Sequence, residues 1–301
     1  MRDRPIGVFD SGVGGLTVLK ALSAELPNES FVYLGDTARL PYGTKSPQTV
    51  ARYSLQAAEA LADYGVKCLV IACNTASSVG LPGIRERIEN VPVVGVIEPG
   101  AEAACRASRS GHIAVIATEG TVRGGAYQNA ILRHRGDARV TAQAAPLFVA
   151  LAEEGLCRGP IVESIARHYL DALFANRLSA QSLDASVPDT LVLGCTHFPM
   201  LADTIRHVAG SGVRIVDSAA TTAESVRTIL VAMHLARESV GVDAVESAGS
   251  RAGDSTGDRV SCASSGTVRF LATDSIERFV RVGSRFLDRT IAPSEVELID
   301  L

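Results

Sequence analysis

Cys73 and Cys195 stand at the ends of two similar apolar runs, in LVIACNTASS (69–78) and LVLGCTHFPM (191–200). In each, a β-branched stretch stops at a thiol, and residues suited to opening a helix follow: Asn74 and Thr75 in one, Thr196 and His197 in the other. A thiol at a helix start meets free backbone N–H groups and the positive end of the helix dipole. Both thiols are therefore expected to have pKa values lowered from about 8.5 towards neutral. Two thiols facing one carbon can remove a proton from one face and return one to the other. That inverts a stereocentre without redox change or cofactor, whereas a hydrolase or transferase needs only one nucleophilic cysteine. His197, two residues past Cys195, can serve that thiol as an acid or as a charge.

The remaining cysteines, Cys68, Cys105, Cys157 and Cys262, read as small buried hydrophobes, and no C-x-x-C pair suggests zinc or disulfide exchange. Nothing in the spacing of Cys73, Cys195 and His197 demands a metal. DSGVGGLTV (10–18) is glycine-rich but matches neither a P-loop nor G-x-G-x-x-G. Its glycines suit close approach of backbone to a small ligand, and Asp10 is either a helix cap or a functional carboxylate. In GDTARLPYGTKS (35–46), Ser46 and Pro47 suit the cap and first turn of a helix, which leaves Pro41, Tyr42 and Gly43 for a tight loop over a pocket. His112, His134, His168, His207 and His234 read as structural or solvated, and Glu153, in EEG after PLFVALA, as a solvated helix end.

The elements that carry these residues alternate. Strand candidates are 6–9, 30–34, 68–72, 91–97, 112–117, 139–144, 190–194, 213–216 and 267–272, with amphipathic helical stretches such as 46–65 and 159–176 between them. Strands apolar on both faces and separated by helices make this an α/β chain with parallel sheets. In such sheets function collects at the carboxyl ends of strands, where Asp10, Cys73 and Cys195 all fall. LVIAC resembles LVLGC, and IGVFDSG (6–12) resembles IAVIATEG (113–120), in the same order. Two pseudo-symmetric α/β domains are expected, 1–98 plus 208–301 and 99–207, with the active site in the cleft between them. Residues 243–267, rich in Gly, Ser and Asp, read as a flexible insertion.

At 301 residues, 47% apolar and 21% charged, the chain has the composition of a soluble globular protein. Its net charge of −4 gives no bias towards nucleic acid or an anionic membrane. With no membrane-length apolar run and no signal-peptide pattern, the expected location is the cytoplasm.

Five motifs in fixed order, DSGVGGLTV, GDTARLPYG, ACNTAS, LGCTH and VDSA, closely resemble the glutamate racemase family of the aspartate/glutamate racemase superfamily. The resemblance runs from residue 6 to about 235 and resumes at FLATD (270–274). It implies cofactor-independent interconversion of L- and D-glutamate, supplying D-glutamate for peptidoglycan. Carried over by position, Cys73 takes the proton from the D-enantiomer and Cys195 from the L-enantiomer. Asp10 and His197 assist the two thiols, and Glu153 matches a further acidic residue near the second. The implied substrate contacts are Asp10, Ser11, Tyr42, Gly43, Asn74, Thr75 and Thr196. Ala145 stands where the family usually has a cysteine that is not one of the bases. A homodimer is implied, inhibition of DNA gyrase is a possible coexisting role, and activation by a peptidoglycan precursor is not expected. Racemisation of aspartate and a silent acid-binding protein are the competing readings.

Overall fold

The computed structural model describes residues 1–174, 187–237 and 266–301. Four strands open the chain: β1 (Ile6–Asp10), β2 (Phe31–Gly35), β3 (Cys68–Ile71) and β4 (Val93–Gly95). Four more follow as β5 (His112–Ala117), β6 (Arg139–Ala144), β7 (Thr190–Gly194) and β8 (Arg214–Asp217). β9 (Val268–Ala272) and β10 (Val296–Leu298) then return to the first set. The two sheets run β10-β9-β2-β1-β3-β4 and β6-β5-β7-β8, with every pairing parallel. The orders β2-β1-β3-β4 and β6-β5-β7-β8 are one four-strand unit used twice. This is the expected architecture of two parallel-sheet α/β halves.

The helices are α1 (Leu16–Glu25), α2 (Pro47–Asp63), α3 (Asn74–Val79), α4 (Leu81–Arg87), α5 (Ile97–Ala107) and α6 (Glu119–Gly124). They continue as α7 (Ala126–His134), α8 (Leu147–Glu154), α9 (Pro160–Phe174), α10 (Ala202–Ala209), α11 (Ser218–Ala232) and α12 (Ile276–Leu287). Their starts follow from sequence: Ser46 caps α2 ahead of Pro47, Thr118 caps α6, and Asp217 caps α11, each accepting a backbone N–H.

Both faces of the first sheet are buried, and its strands alternate between two cores. Ile6, Val8, Cys68 and Val70 belong to one, and Phe9, Leu69 and Ile71 to the other. Period-2 side chains that are apolar throughout require helices on both sides, which is what a parallel sheet has. Among the described residues, no helix is long and apolar enough to cross a membrane.

Two expectations need correction. The return to the first domain at 208 fails at the sheet: β8 hydrogen-bonds to β7 and closes the second unit as its fourth strand. The chain crosses back one element later, where α11 packs on α1. α5 makes the reciprocal crossing, leaving β4 to pack on β7, β8 and α7. The second correction is small: residues 91–97 supply a strand only at Val93–Gly95, because Ile97 already starts α5. Most of the expected insertion at 243–267, up to residue 265, lies outside the described residues.

Candidate active site

Cys73 is itself the cap of α3. Its sulfur accepts from the Ala76 N–H at 3.4 Å and lies 3.4 Å from Ser11 Oγ. The expected acidification does not hold here: burial, reinforced by the negative charge of Asp10, pushes the Cys73 thiol up to about 12. The magnitudes explain this. A helix terminus is worth about 0.3–1 kcal/mol at an exposed site, below one pKa unit, and α3 is only six residues long. Full burial moves a pKa by roughly 3–5 units.

Asp10 closes β1 and is only 1% exposed, behind the wall rather than on it. Its Oδ2 accepts from Gly12 N at 2.9 Å, while Oδ1 is buried without a hydrogen-bond partner. Burial pushes this carboxyl up from its ordinary value, against His197 and the N–H groups of Gly15 and Gly12, which pull it down.

Cys195 follows β7 directly and is succeeded by a turn and a 3-10 helix at Phe198–Leu201, so no α-helix starts at this thiol. Its neighbour is a side chain: His197 Nδ1 lies 3.8 Å from Cys195 Sγ and 3.4 Å from Thr196 Oγ1. The other ring nitrogen, Nε2, meets Glu153 Oε1 at 3.1 Å. Burial works against the imidazolium, but the hydrogen bonds and charges of Cys195 and Glu153 outweigh it and push His197 up to about 10. His197 is thus a cation at neutral pH. Burial also opposes the Glu153 carboxylate, and His197 and Arg278 more than offset it, so Glu153 stays below its ordinary value.

The glycine-rich turn after β1 fits against this wall. A Cβ at Gly14 would overlap Thr196 Oγ1 and the His197 ring, which is why that position tolerates no side chain. Thr17 Oγ1, one turn on, donates to Thr196 O at 2.9 Å.

The residues read as caps tie the two halves together. Asn74 Nδ2 donates to Tyr127 Oη at 2.9 Å, and Thr75 Oγ1 lies 2.9 Å from Thr118 Oγ1 and 3.3 Å from Thr121 Oγ1. Gly43 sits against Thr118, where a Cβ would come within 2.9 Å of the threonine Cβ. Tyr42 donates its hydroxyl to Asp36, which Arg39 and Thr273 also hold, so Tyr42 presents ring and backbone rather than hydroxyl.

Between these walls is a cavity of about 280 Å³. Ser11, Tyr42, Gly43, Cys73, Asn74, Thr75, Glu153, Cys195, Thr196 and His197 all line it; of the residues expected at the site, only Asp10 lies behind. Sequence reading gave no role to Thr118 and Glu119, which also line it, although both follow a strand end. Tyr127 and Arg278 left no signal in the sequence, since packing alone brings them near. Among the described residues, the lining carries no lysine or arginine. Its donors to an anion are hydroxyls, amides and the His197 imidazolium, a set that fits a small carboxylate. Among the described residues, no cluster of three or more His, Cys, Asp or Glu side chains is placed to hold a metal.

The family model described as Asp/Glu/Hydantoin racemase matches residues 6–226. A glutamate racemase of Geobacter metallireducens is 44% identical over 284 residues, covering 94% of this chain and 93% of its own length. The glutamate racemase of Francisella tularensis, solved in complex with D-glutamate, superposes with a TM-score of 0.81 at 32% identity, over 100% of this chain and 98% of that one. That of Thermus thermophilus, in complex with beta-chloro-D-alanine, gives 0.78 at 39% identity, over 100% and 98%. The chain belongs to the Asp/Glu/Hydantoin racemase family, among its glutamate racemases.

Proposed function

We propose that this chain interconverts L- and D-glutamate by proton transfer between Cys73 and Cys195, and so supplies D-glutamate for peptidoglycan. The observation that carries the proposal is that the two thiols, one from each copy of the four-strand unit, line a single cavity. In the D-to-L direction the Cys73 thiolate takes the α-proton and the Cys195 thiol gives its own to the opposite face. The reverse reaction starts from the Cys195 thiolate and the Cys73 thiol. Each turnover exchanges the protonation of the two sulfurs, so no electrons move and the scheme calls for no cofactor.

The α-carbon of an amino acid is a weak acid, and the carbanion needs donors at its carboxylate. Thr75, Thr118, Thr196 and Asn74 line the cavity and carry hydroxyl and amide donors of this kind. His197, cationic and within reach of Cys195 Sγ, helps that sulfur exchange its proton. Asp10, behind the wall, acts through Cys73. A homodimer is the assembly we expect, to be measured by light scattering.

Circular dichroism and ¹H NMR of the purified protein with L-glutamate in D₂O, without added cofactor, test the proposal. We expect loss of optical rotation together with deuterium at Cα. Unchanged rotation and no exchange would overturn it, and a response to aspartate alone would move the substrate to the shorter acid.

A further inference from the structure

α12 belongs to the first half, between β9 and β10, yet it reaches the second half's catalytic wall with three side chains. Arg278 Nη2 donates to Glu153 Oε2 at 2.7 Å. Arg285, two turns along on the same side, donates to the Glu153 main-chain oxygen at 3.2 Å. Phe286 places its ring edge-on to His197, with centroids 5.2 Å apart. The two oxygens of Glu153 are thereby divided, Oε2 to Arg278 and Oε1 to His197 Nε2. A carboxylate held by one partner alone can rotate between its oxygens and towards solvent; held at Oε2, it keeps Oε1 in line with the imidazole.

We infer that Arg278 is a positioning residue for the reaction: through Glu153 it fixes the His197 ring against Cys195. This rests on the two-thiol reading of the site. An exposed ion pair contributes little to stability, and Arg278 is 45% exposed, so its substitution should leave the fold intact. The charged and titratable groups around His197 are Asp10 from the end of β1, Cys195 after β7, and Glu153 of α8, with Arg278 and Arg285 of α12 behind the last.

The test uses Arg278→Gln and Arg278→Lys in the full-length protein, alone and combined with Glu153→Gln. Arg278→Gln should lower kcat about tenfold with KM changed less than twofold, and Arg278→Lys should recover most of the loss. With Glu153→Gln already present, Arg278→Gln should cost nothing further, because the link it works through is gone. The ¹⁵N resonances of His197, assigned by their loss in His197→Asn, should titrate at lower pH in Arg278→Gln, opposite to the rise that removal of a nearby cation alone would give, and return towards wild type in Arg278→Lys. Additive losses in the double variant, or an unmoved His197 titration, would overturn the inference. A wild-type protein without racemase activity would instead overturn the reading of the site, since the titration is read without turnover.

Discussion

Cys73 and Cys195 hold matching places, each just past the third strand of its unit, and their neighbours differ in kind. Cys73 caps a short helix, touches Ser11 and has the carboxyl of Asp10 close behind. Cys195 is followed by a 3-10 turn and touches an imidazolium that Glu153 and Arg278 support. Duplication of the unit decides where a thiol stands; the local loops and the crossing helices decide what stands beside it. With its pKa pushed up to about 12, Cys73 carries its proton in the substrate-free protein at neutral pH. In the proposed reaction that is the state required to receive L-glutamate, with Cys195 as the base. The reverse direction needs Cys73 to give up a proton first.

The broadest way to break the comparison is to remove each sulfur. Cys73→Ser and Cys195→Ser should each lower kcat by roughly 10³-fold or more, followed by circular dichroism. Full activity in either variant would mean that one wall suffices. His197→Asn should cost about 10² in kcat, as the loss of a single acid–base partner.

A smaller effect should appear on the other side. Asp10→Asn removes the carboxyl charge that helps to raise Cys73 while keeping an acceptor for Gly12 N. The pH at which iodoacetamide half-labels Cys73, mapped by peptide mass spectrometry, should fall, with Cys195 labelling unmoved and kcat down about tenfold. Equal shifts at both cysteines would show that the two walls share one electrostatic environment.

pH separates the walls through stability. His197 rises from its ordinary 6.5 to about 10, so between those values the folded protein holds a proton that the unfolded chain has lost. Its stabilisation is complete below pH 6.5 and disappears as pH climbs through about 10. Cys73, raised from 9.0 to about 12, has the same sign in a higher window. Melting temperatures recorded from pH 6 to 10 should fall for the wild type and be flatter for His197→Asn. The smallest effect is expected at the seam: Thr118→Val should cost about 1 kcal/mol of stability for its lost hydroxyl contacts, read from urea midpoints.

Much of this site was legible because its key residues sit on short local signals. β-branched runs mark the strands, and Cys73, Cys195 and His197 stand at strand ends beside their own caps and turns. At Cys73 the sequence shows the helix start but not the depth of burial that outweighs it. The sheet that β8 joins is not legible, because its four residues, Arg214–Asp217, carry no sign of it. β10 escaped notice at three residues, on the sheet edge. Taken from its local sequence alone, Glu153 reads as a solvated helix end and only the family resemblance puts it near the second thiol, since Arg278 lies 125 residues further along and only the path of α12 brings the two together.

The exchange of α5 and α11 between the halves also bears on how the protein comes apart. Each half is covered partly by a helix launched by the fourth strand of the other half's repeated unit, so neither sheet keeps its full cover when the other melts. Two autonomous domains would unfold in two steps, each with its own enthalpy. Here calorimetry should record one transition, with van't Hoff and calorimetric enthalpies in agreement, and fragments cut between β4 and α5 should not fold separately.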